Sequence, residues 1–493
     1  MASEIRVNKL NSQTGVGTIT LSPTGVDISG ITTTETLKAT TGIVTTLTAT
    51  TGIVTTFEAT TGDITTLRAP TGIVTSLEAT TGDITTLRAP TGIVTSFVTN
   101  TAKVGAAVTI TESGIEASGI GITCASINGT QIGGRRNIII NGAMEVAQRG
   151  TSSTSTGYQT VDRFDVNNGT VDEQQTQAQV DVSSGTSPYG EGFRKALKVT
   201  NGNQTSVDAT DNIIIRYKLE SQDIANSGWN YTSSSSFITL SFWIKSSVAQ
   251  EFQVTLQSVD GTAYIYPMET PSLSANTWTK ITKTIPGNSN LTFNNDNGEG
   301  LRIIIVAYCG SSYSSDSATI NSWNTRTGAN QFGRASTSTW YTTNDATLEV
   351  TGLQLEVGSQ ATPFEHRSFA EELALCQRYC CKWWNNGGTT ANHSRFPVGH
   401  TNGTSSMAFW LQHPVPMRTT DGKTITHNIG QIQPINQGAT QYNPSFTLTA
   451  DGQQELISMV QLGLASGRTE NQIAFFRVGG GQTNWYLIIA NEL

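Results

Sequence analysis

Ile238-Thr239-Leu240-Ser241-Phe242-Trp243-Ile244 puts a large apolar residue at every second position. Side chains along an extended strand alternate between its two faces, so this stretch reads as a strand with one face against a core. The sequence on either side repeats the signal. Further strands are expected at Phe252–Val259, Thr279–Ile285, Leu301–Tyr308 and Thr347–Val357. Gly352 interrupts the last of these, and a glycine inside a strand pattern marks a bulge. No long helical pattern lies among the runs. Their spacing predicts a β-sandwich over residues 137–366.

Past the sandwich the period changes. Ser368 and Glu371 match a capping box. Phe369, Leu373, Cys376, Cys380 and Trp383 lie on one apolar stripe of a helix. A helix is therefore expected from Phe369 to about Trp384, within a segment 367–384, and Asn385-Asn386-Gly387-Gly388 would end it. A C-terminal β-rich head, residues 385–493, follows. Its candidate strands are Ser406–Leu411, Ser445–Leu448, Gln472–Val478 and Trp485–Ala490.

Upstream, six consecutive ten-residue blocks run from Thr41 to Asn100, each opening Thr-Gly, after a looser block at Ile31–Thr40. Self-similarity at a fixed period marks a fibrous array. Position four is always β-branched and position seven always large and apolar, as in Val44 with Leu47 or Val94 with Phe97. At about 100° per residue, ten residues leave a helical stripe about 80° out of register after each block, so no helix face stays apolar. Threonine and β-branched residues suit extended backbone, and glycine at position two supplies a bend. Each block reads as a short strand and a turn. Its few small apolar side chains give one chain almost nothing to enclose. Three chains wound about one axis would pool them and pair their strand edges. A homotrimeric β-fibre shaft is expected over 31–100; a one-chain solenoid using two blocks per coil is the other arrangement. Glu58, Arg68, Glu78 and Arg88 alternate in sign at position eight. Exposed pairs contribute only about 0–1 kcal/mol each, so they read as a solvated face.

A leader, residues 1–30, precedes the blocks and a neck, residues 101–136, follows them. Thr18-Ile19-Thr20-Leu21 with Gly25-Val26-Asp27-Ile28-Ser29 is echoed by Val108-Thr109-Ile110-Thr111 with Gly114-Ile115-Glu116-Ala117. Similar units bracketing an array suit capping elements.

Composition narrows the function classes. Of 493 residues only 13% are charged, and the net charge is -8. An acidic chain without basic runs argues against nucleic-acid binding. Met1–Leu10 has no apolar signal region, and no apolar stretch is long enough to cross a membrane. Five cysteines, an odd number, do not make a disulfide framework. Folding in a reducing cytoplasm is expected.

Trp383, Trp384, Trp410, Trp485 and Tyr486 gather in or beside the last domain among many Asn and Gln. Flat rings stack on the C–H faces of sugars, and amides pair with their hydroxyls, so these five are candidate receptor contacts. The same rings could equally fill a core or a trimer interface. Cys376, Cys380 and Cys381 with His393 or His400 would suit a soft metal, but their spacing does not support one, and free cysteine packs as a small hydrophobe. Asn294–Gly300 is either an oxygen-rich Ca²⁺ loop or a plain turn. Gly479-Gly480-Gly481 lacks the strand-then-helix context of a phosphate loop, and no Gly-x-Ser-x-Gly elbow is present. Asp162/Asp165 and Asp172/Glu173 are carboxylate pairs in sequence, which does not give them the spacing of a glycosidase. No cofactor, no metal and no catalysis are expected.

Leu353-Gln354-Leu355-Glu356-Val357-Gly358, Thr362-Pro363-Phe364-Glu365 and Cys376-Gln377-Arg378-Tyr379 together resemble a motif of phage tail-fibre and receptor-binding proteins. Asn137–Glu145 with Gln148-Arg149-Gly150 and Asp162-Arg163-Phe164 is similar to the start of the same module, and Pro414–Thr419 to a segment of the domain that follows it. The leader Met1–Leu10 resembles fibres of cyanobacterial phages. The resemblance implies a jelly-roll module like a carbohydrate-binding domain, and a virion protein made in the host cytoplasm. Its partners would be two further copies of itself, a tail, baseplate or other virion protein bound through residues 1–30, and a bacterial surface polysaccharide or lipopolysaccharide. Long fibres of another phage type hold iron through His-x-His pairs; this chain has none. A head or vertex decoration fibre and a polysaccharide-degrading tailspike are the alternatives.

Overall fold

The structure, a computed structural model, describes residues 135–384 without a break. It also describes 398–430, 432–434, 445–463, 473–474, 476–478 and 485–493, with short strands before residue 135. The chain divides into two units, Met1–Ile120 and Gly121–Leu493. The ten-residue blocks lie outside the described residues. So does Cys124.

The first unit contains the echoed segments. Lys9–Asn11, Thr18–Ser22 and Gly25–Ser29 form one three-stranded antiparallel sheet, and Thr101–Val104, Val108–Thr111 and Gly114–Ala117 form another. Their second hairpins share a register. Leu21 faces Val26 and Ser22 faces Gly25 in the first; Ile110 faces Ile115 and Thr111 faces Gly114 in the second. The sequence echo is thus an echo of strand pairing. The first hairpins differ, since Asn11 pairs with Thr18 across a longer connection than that between Val104 and Val108.

In the second unit two six-stranded antiparallel sheets face each other. One runs Phe164–Gly169, Asn212–Glu220, Glu299–Cys309, Gln253–Ser258, Tyr264–Glu269, Asn324–Thr325; the other runs Thr279–Pro286, Phe237–Ser246, Thr347–Val357, Lys195–Thr200, Thr176–Asp181, Ser152–Ser153. The expected sandwich strands are all present. Alternation explains the core: Ile213, Ile215, Tyr217 and Leu219 from one sheet meet Ile238, Leu240, Phe242 and Ile244 from the other. The bulge expected at Gly352 also forms. Leu348 and Val350 lie in the core before it, Leu353 and Leu355 after it, so the parity of the strand flips by one residue. The register against Phe237–Ser246 slips there, between Ser241 and Trp243. Gly352 sits at φ 66°, a left-handed conformation open to glycine, and a Cβ there would lie 2.7 Å from the Phe193 ring.

The helix is shorter than its periodicity predicts. It spans Phe369–Gln377, with the capping box of Ser368 and Glu371 formed. Cys380–Trp384 is a strand, paired from Cys380 opposite Ala490 to Trp384 opposite Tyr486. A short cysteine- and tryptophan-containing run satisfies helical and strand spacing alike, and the partner strand decides between them. Residues 380–384, expected as the end of the helix, thus share a sheet with the C-terminal strands. Cys380–Trp384, Tyr486–Ala490 and Thr424–His427 form one sheet of the C-terminal domain; Ser445–Gln453, Ile457–Gly463, Ser406–Gln412, Gly399–Thr401 and Ile473–Ala474 form another. Met407, Phe409, Leu411, Val460, Leu462 and Leu487 belong to the core they share. Among the described residues no helix is long and apolar enough to cross a membrane.

Candidate functional site

Strand parity sorts the five candidate rings. Trp485 is buried in the C-terminal core and Trp383 packs against it, its ring 5.5 Å from that of His413. Tyr486, half-buried, lies at the end of the same sheet, with the Lys382 ammonium 5.3 Å from its ring. The Trp384 side chain lies outside the described residues. Trp410 is different: 46% of it is exposed. Met407, Phe409 and Leu411 point to the core, so Ala408, Trp410 and Gln412 occupy the opposite face of that strand. Pairing then sets their neighbours. Ile473, His400, Ala408, Gln461 and Thr447 lie in one row across the five strands, Trp410 stands opposite Met459, and Gln412 opposite Ile457. The result is an outward ring flanked by amides and thioether. The four whose side chains are described do not form one site: two serve the core, and Trp410 and Tyr486 belong to different sheets.

Burial weakens the basic groups near this face. The His413 imidazole is pushed down to about 4, by burial first and by the nearby Lys423 charge second. Its Nε2 is 2.8 Å from Ser458 Oγ, and Nδ1 has no hydrogen-bond partner among the described residues, so an imidazolium there would bury an unmatched proton. Burial likewise lowers His427 and Lys382. Cys376, Cys380 and Cys381 are buried, and burial pushes the Cys381 thiol up to about 12. Among the described residues no three His, Cys, Asp or Glu side chains are placed to hold a metal; His393 lies outside them.

The other chemistry-bearing segments are tied up in structure. In the Asn294–Gly300 loop, Asn297 exchanges hydrogen bonds with Arg418, 2.8 Å from Asn297 Nδ2 to the Arg418 carbonyl and 2.9 Å from Arg418 Nη1 to the Asn297 carbonyl. That loop docks the C-terminal domain. Asp162 accepts from the Gln148 backbone at 2.9 Å and is pushed up to about 6 by burial. Asp165 pairs with Arg216. Asp172 accepts from Thr205 and Ser206, and Glu173 from Asn203.

The residues that carry the resemblance form a buried polar frame. Glu356 accepts from Thr362, and Gln354 from the Glu365 backbone. Arg163 is fully buried, with its guanidinium 3.4 Å from the Tyr379 ring centroid and 2.6 Å from Glu492. Glu220 holds Arg378 at 2.7 Å. Arg418 donates to Asn491 and Glu492 as well as to Asn297. Sequence reading met Arg418 only inside a motif and did not single out Glu492, because nothing local marks a buried ion pair or a guanidinium that holds distant carbonyls. It also passed over Trp243, whose parity with Thr239 and Ser241 was legible. Trp243 lies on the outer face of its sheet, its Nε1 3.1 Å from Glu191 Oε2 and Lys280 5.7 Å from its ring. Trp278 is beside it, with Lys245 5.0 Å from that ring.

No protein-family model matches the chain, and no curated protein matches it. Among solved structures it is similar to the enzymatically active domain of bacteriophage CBA120 tailspike protein 4. That match has 8% identity and a TM-score of 0.24, and covers 45% of this chain but only 21% of that one. The chain is also similar to the Family 11 Carbohydrate-Binding Module from Clostridium thermocellum (13% identity, TM-score 0.19, 44% of this chain and 98% of that one). A third similarity is to the CBM22-1 xylan-binding domain from Paenibacillus barcinonensis Xyn10C (8% identity, TM-score 0.20, 43% and 94%). At these scores the likeness carries no argument about ligand or reaction.

Proposed function

We propose that this chain is a homotrimeric phage tail fibre that attaches the virion to a bacterial surface glycan without cleaving it. The observation that carries the reading is Trp410, a large ring left 46% exposed on an outward sheet face between amide-bearing neighbours. Trp485 is buried and Trp383 packs against the core, which leaves this ring to meet a ligand. The ten-residue blocks support the trimer, because each is too poor in apolar side chains to fold as a lone strand-and-turn. Three heads on one shaft raise the effective concentration of the second and third contacts, so weak single sites give firm attachment. Residues 1–30 dock on the virion at the other end.

Native mass measurement and retention on host envelope polysaccharide or lipopolysaccharide test this together. The expected result is a trimer that is retained and releases no oligosaccharide, with Trp410→Ala weakening each site about tenfold, or 1.4 kcal/mol. A monomer in dilute solution, or retention unchanged in Trp410→Ala, removes the reading. Release of oligosaccharides would replace it with a degrading tailspike, and absence of any retention with a decoration fibre.

A further inference from the structure

A cavity of ≈ 270 Å³ lies in the sandwich, away from Trp410, where the segment Phe364–Phe369 passes Glu145 and Gly192. Most of its polar lining is committed. Arg367 pairs with Glu365 at 2.8 Å and Glu372 at 2.9 Å. Glu365 also accepts from the backbone of Arg136 and Asn137, and Glu372 from that of Asn141. The Asn137 amide bonds Leu353, Ile139 and Leu355. These groups are scaffold.

Two polar groups are only partly committed. Glu145 enters no ion pair among the described residues, and the Arg194 backbone N–H is its local donor. Burial holds its carboxyl above the ordinary range, against the pull of Lys195, Arg194 and His366. His366 engages only Nε2, 2.8 Å from the Glu191 carbonyl. Gly192, at φ 101°, makes room for this ring, since a Cβ there would lie 3.0 Å from Nε2. The apolar side is aromatic. Phe364 packs edge-on against Phe193 with centroids 4.8 Å apart. Phe369 is 59% exposed at the first position of its helix, with no core to enter.

We propose that this cavity is a subsite for one neutral pyranose ring, a chain end or branch of the surface glycan, with hydroxyls donated to Glu145 and a C–H face laid on Phe369 and Phe364. The size fits a single ring, being just below the roughly 300–1,000 Å³ of pockets that take drug-sized ligands. Among the lining residues the carboxylates of Glu145, Glu365 and Glu372 outnumber the one guanidinium, Arg367, and the Lys195 and Arg194 charges that act on Glu145 lie outside the lining. That balance disfavours uronic and sialic acids. A charged acceptor strengthens hydroxyl hydrogen bonds, and a carboxylate with a single backbone donor keeps acceptor sites for a ligand. The proposal rests on the glycan-binding reading but moves a contact from the C-terminal domain to the sandwich.

The test titrates the full-length protein with methyl glucoside, methyl galactoside and methyl mannoside, with glucuronic acid as the acidic probe, followed by saturation-transfer NMR. At least one neutral glycoside should bind, with glucuronic acid at least tenfold weaker. Glu145→Gln and Phe369→Ala should each weaken it at least threefold, and Val207→Ala, at an exposed position outside the cavity lining, should leave it unchanged. Phe369 is exposed, so its variant keeps the fold even if the Glu145 variant does not. Failure of all neutral glycosides, equal binding of glucuronic acid, or wild-type binding by the Phe369 variant would overturn the subsite. Loss of polymer retention in Trp410→Ala with glycoside binding intact would leave both sites standing. Glycoside binding with no retention of polymer would sink the adhesin reading alone.

Discussion

The two β-domains of the second unit reach stability by different means. In the sandwich, long strands stack aliphatic ladders across two sheets, and Leu240, Phe242, Val254, Ile285 and Leu355 are fully buried. In the C-terminal domain the core among the described residues is smaller, and the domain leans on its neighbour through charged groups and a backbone bond: Glu492 on Arg163 and Arg149, Arg418 on Asn297, and the Asn491 backbone on Tyr379. Burial of apolar area is non-directional and holds a domain by itself. A buried ion pair is directional and costly to break, so it fixes where one domain sits on another. The difference predicts that the sandwich outlasts the head as conditions become harsher.

The largest effect should come from Phe242→Ala. Truncating a fully buried phenyl in the central strand should cost about 3–5 kcal/mol and lower the denaturant midpoint of the whole second unit. If only the C-terminal domain responds, the sandwich is not the foundation. Next comes Arg163→Ala, which leaves Glu492 with the Arg149 guanidinium alone. Removing one partner of a buried pair costs about 3–5 kcal/mol, and the loss should fall on the head. Hydrogen exchange should rise in Tyr486–Ala490 before it rises in Phe237–Ser246. Equal protection loss in both strands would show that the two domains fold as one body.

Acid should separate them further. An imidazole held below its ordinary value contributes stability that is present above the unfolded pKa, near 6.5, and lost as pH falls toward about 4. His413 should thus weaken the head by about 1–3 kcal/mol over that window. Asp162, raised to about 6 in the sandwich, runs the other way: its folded state keeps the proton, so its contribution is complete below the unfolded value and fades as pH rises through 6. Between pH 7 and 5 the head should loosen while the Asp162 contribution grows. His413→Gln should remove most of the head's response, measured as the exchange of Ser458 and its neighbours.

The sandwich was legible because period-two alternation is a local signal, and even the parity flip at Gly352 was written as one glycine in an apolar run. The echo of Thr18–Ser29 in Val108–Ala117 was legible for the same reason. The candidate site was read less well. Composition identified rings that suit sugars, but it could not separate Trp485 in the core from Trp410 outside it. That choice depends on which face of a strand meets its partner sheet, and the strand Cys380–Trp384 depends on a partner more than a hundred residues away. Glu145 and Phe369 meet only through the fold. No spacing in the sequence brings an early loop to the start of the helix.

The smallest predicted effect concerns the link between the domains. The helix Phe369–Gln377 is nine residues long, too short to hold without help. Ser368 Oγ accepts from the Glu371 backbone at 3.3 Å, and Glu371 returns a bond to the Ser368 backbone at 2.9 Å. Ser368→Ala should cost about 1 kcal/mol, read as faster exchange in the first helical turn. The strand Cys380–Trp384 should not follow, because its hold is the ladder to Tyr486–Ala490 rather than the helix before it. Were that strand to loosen with the cap, the helix would be a lever joining the two domains. Unchanged protection would leave it a spacer whose order the sandwich and head do not share.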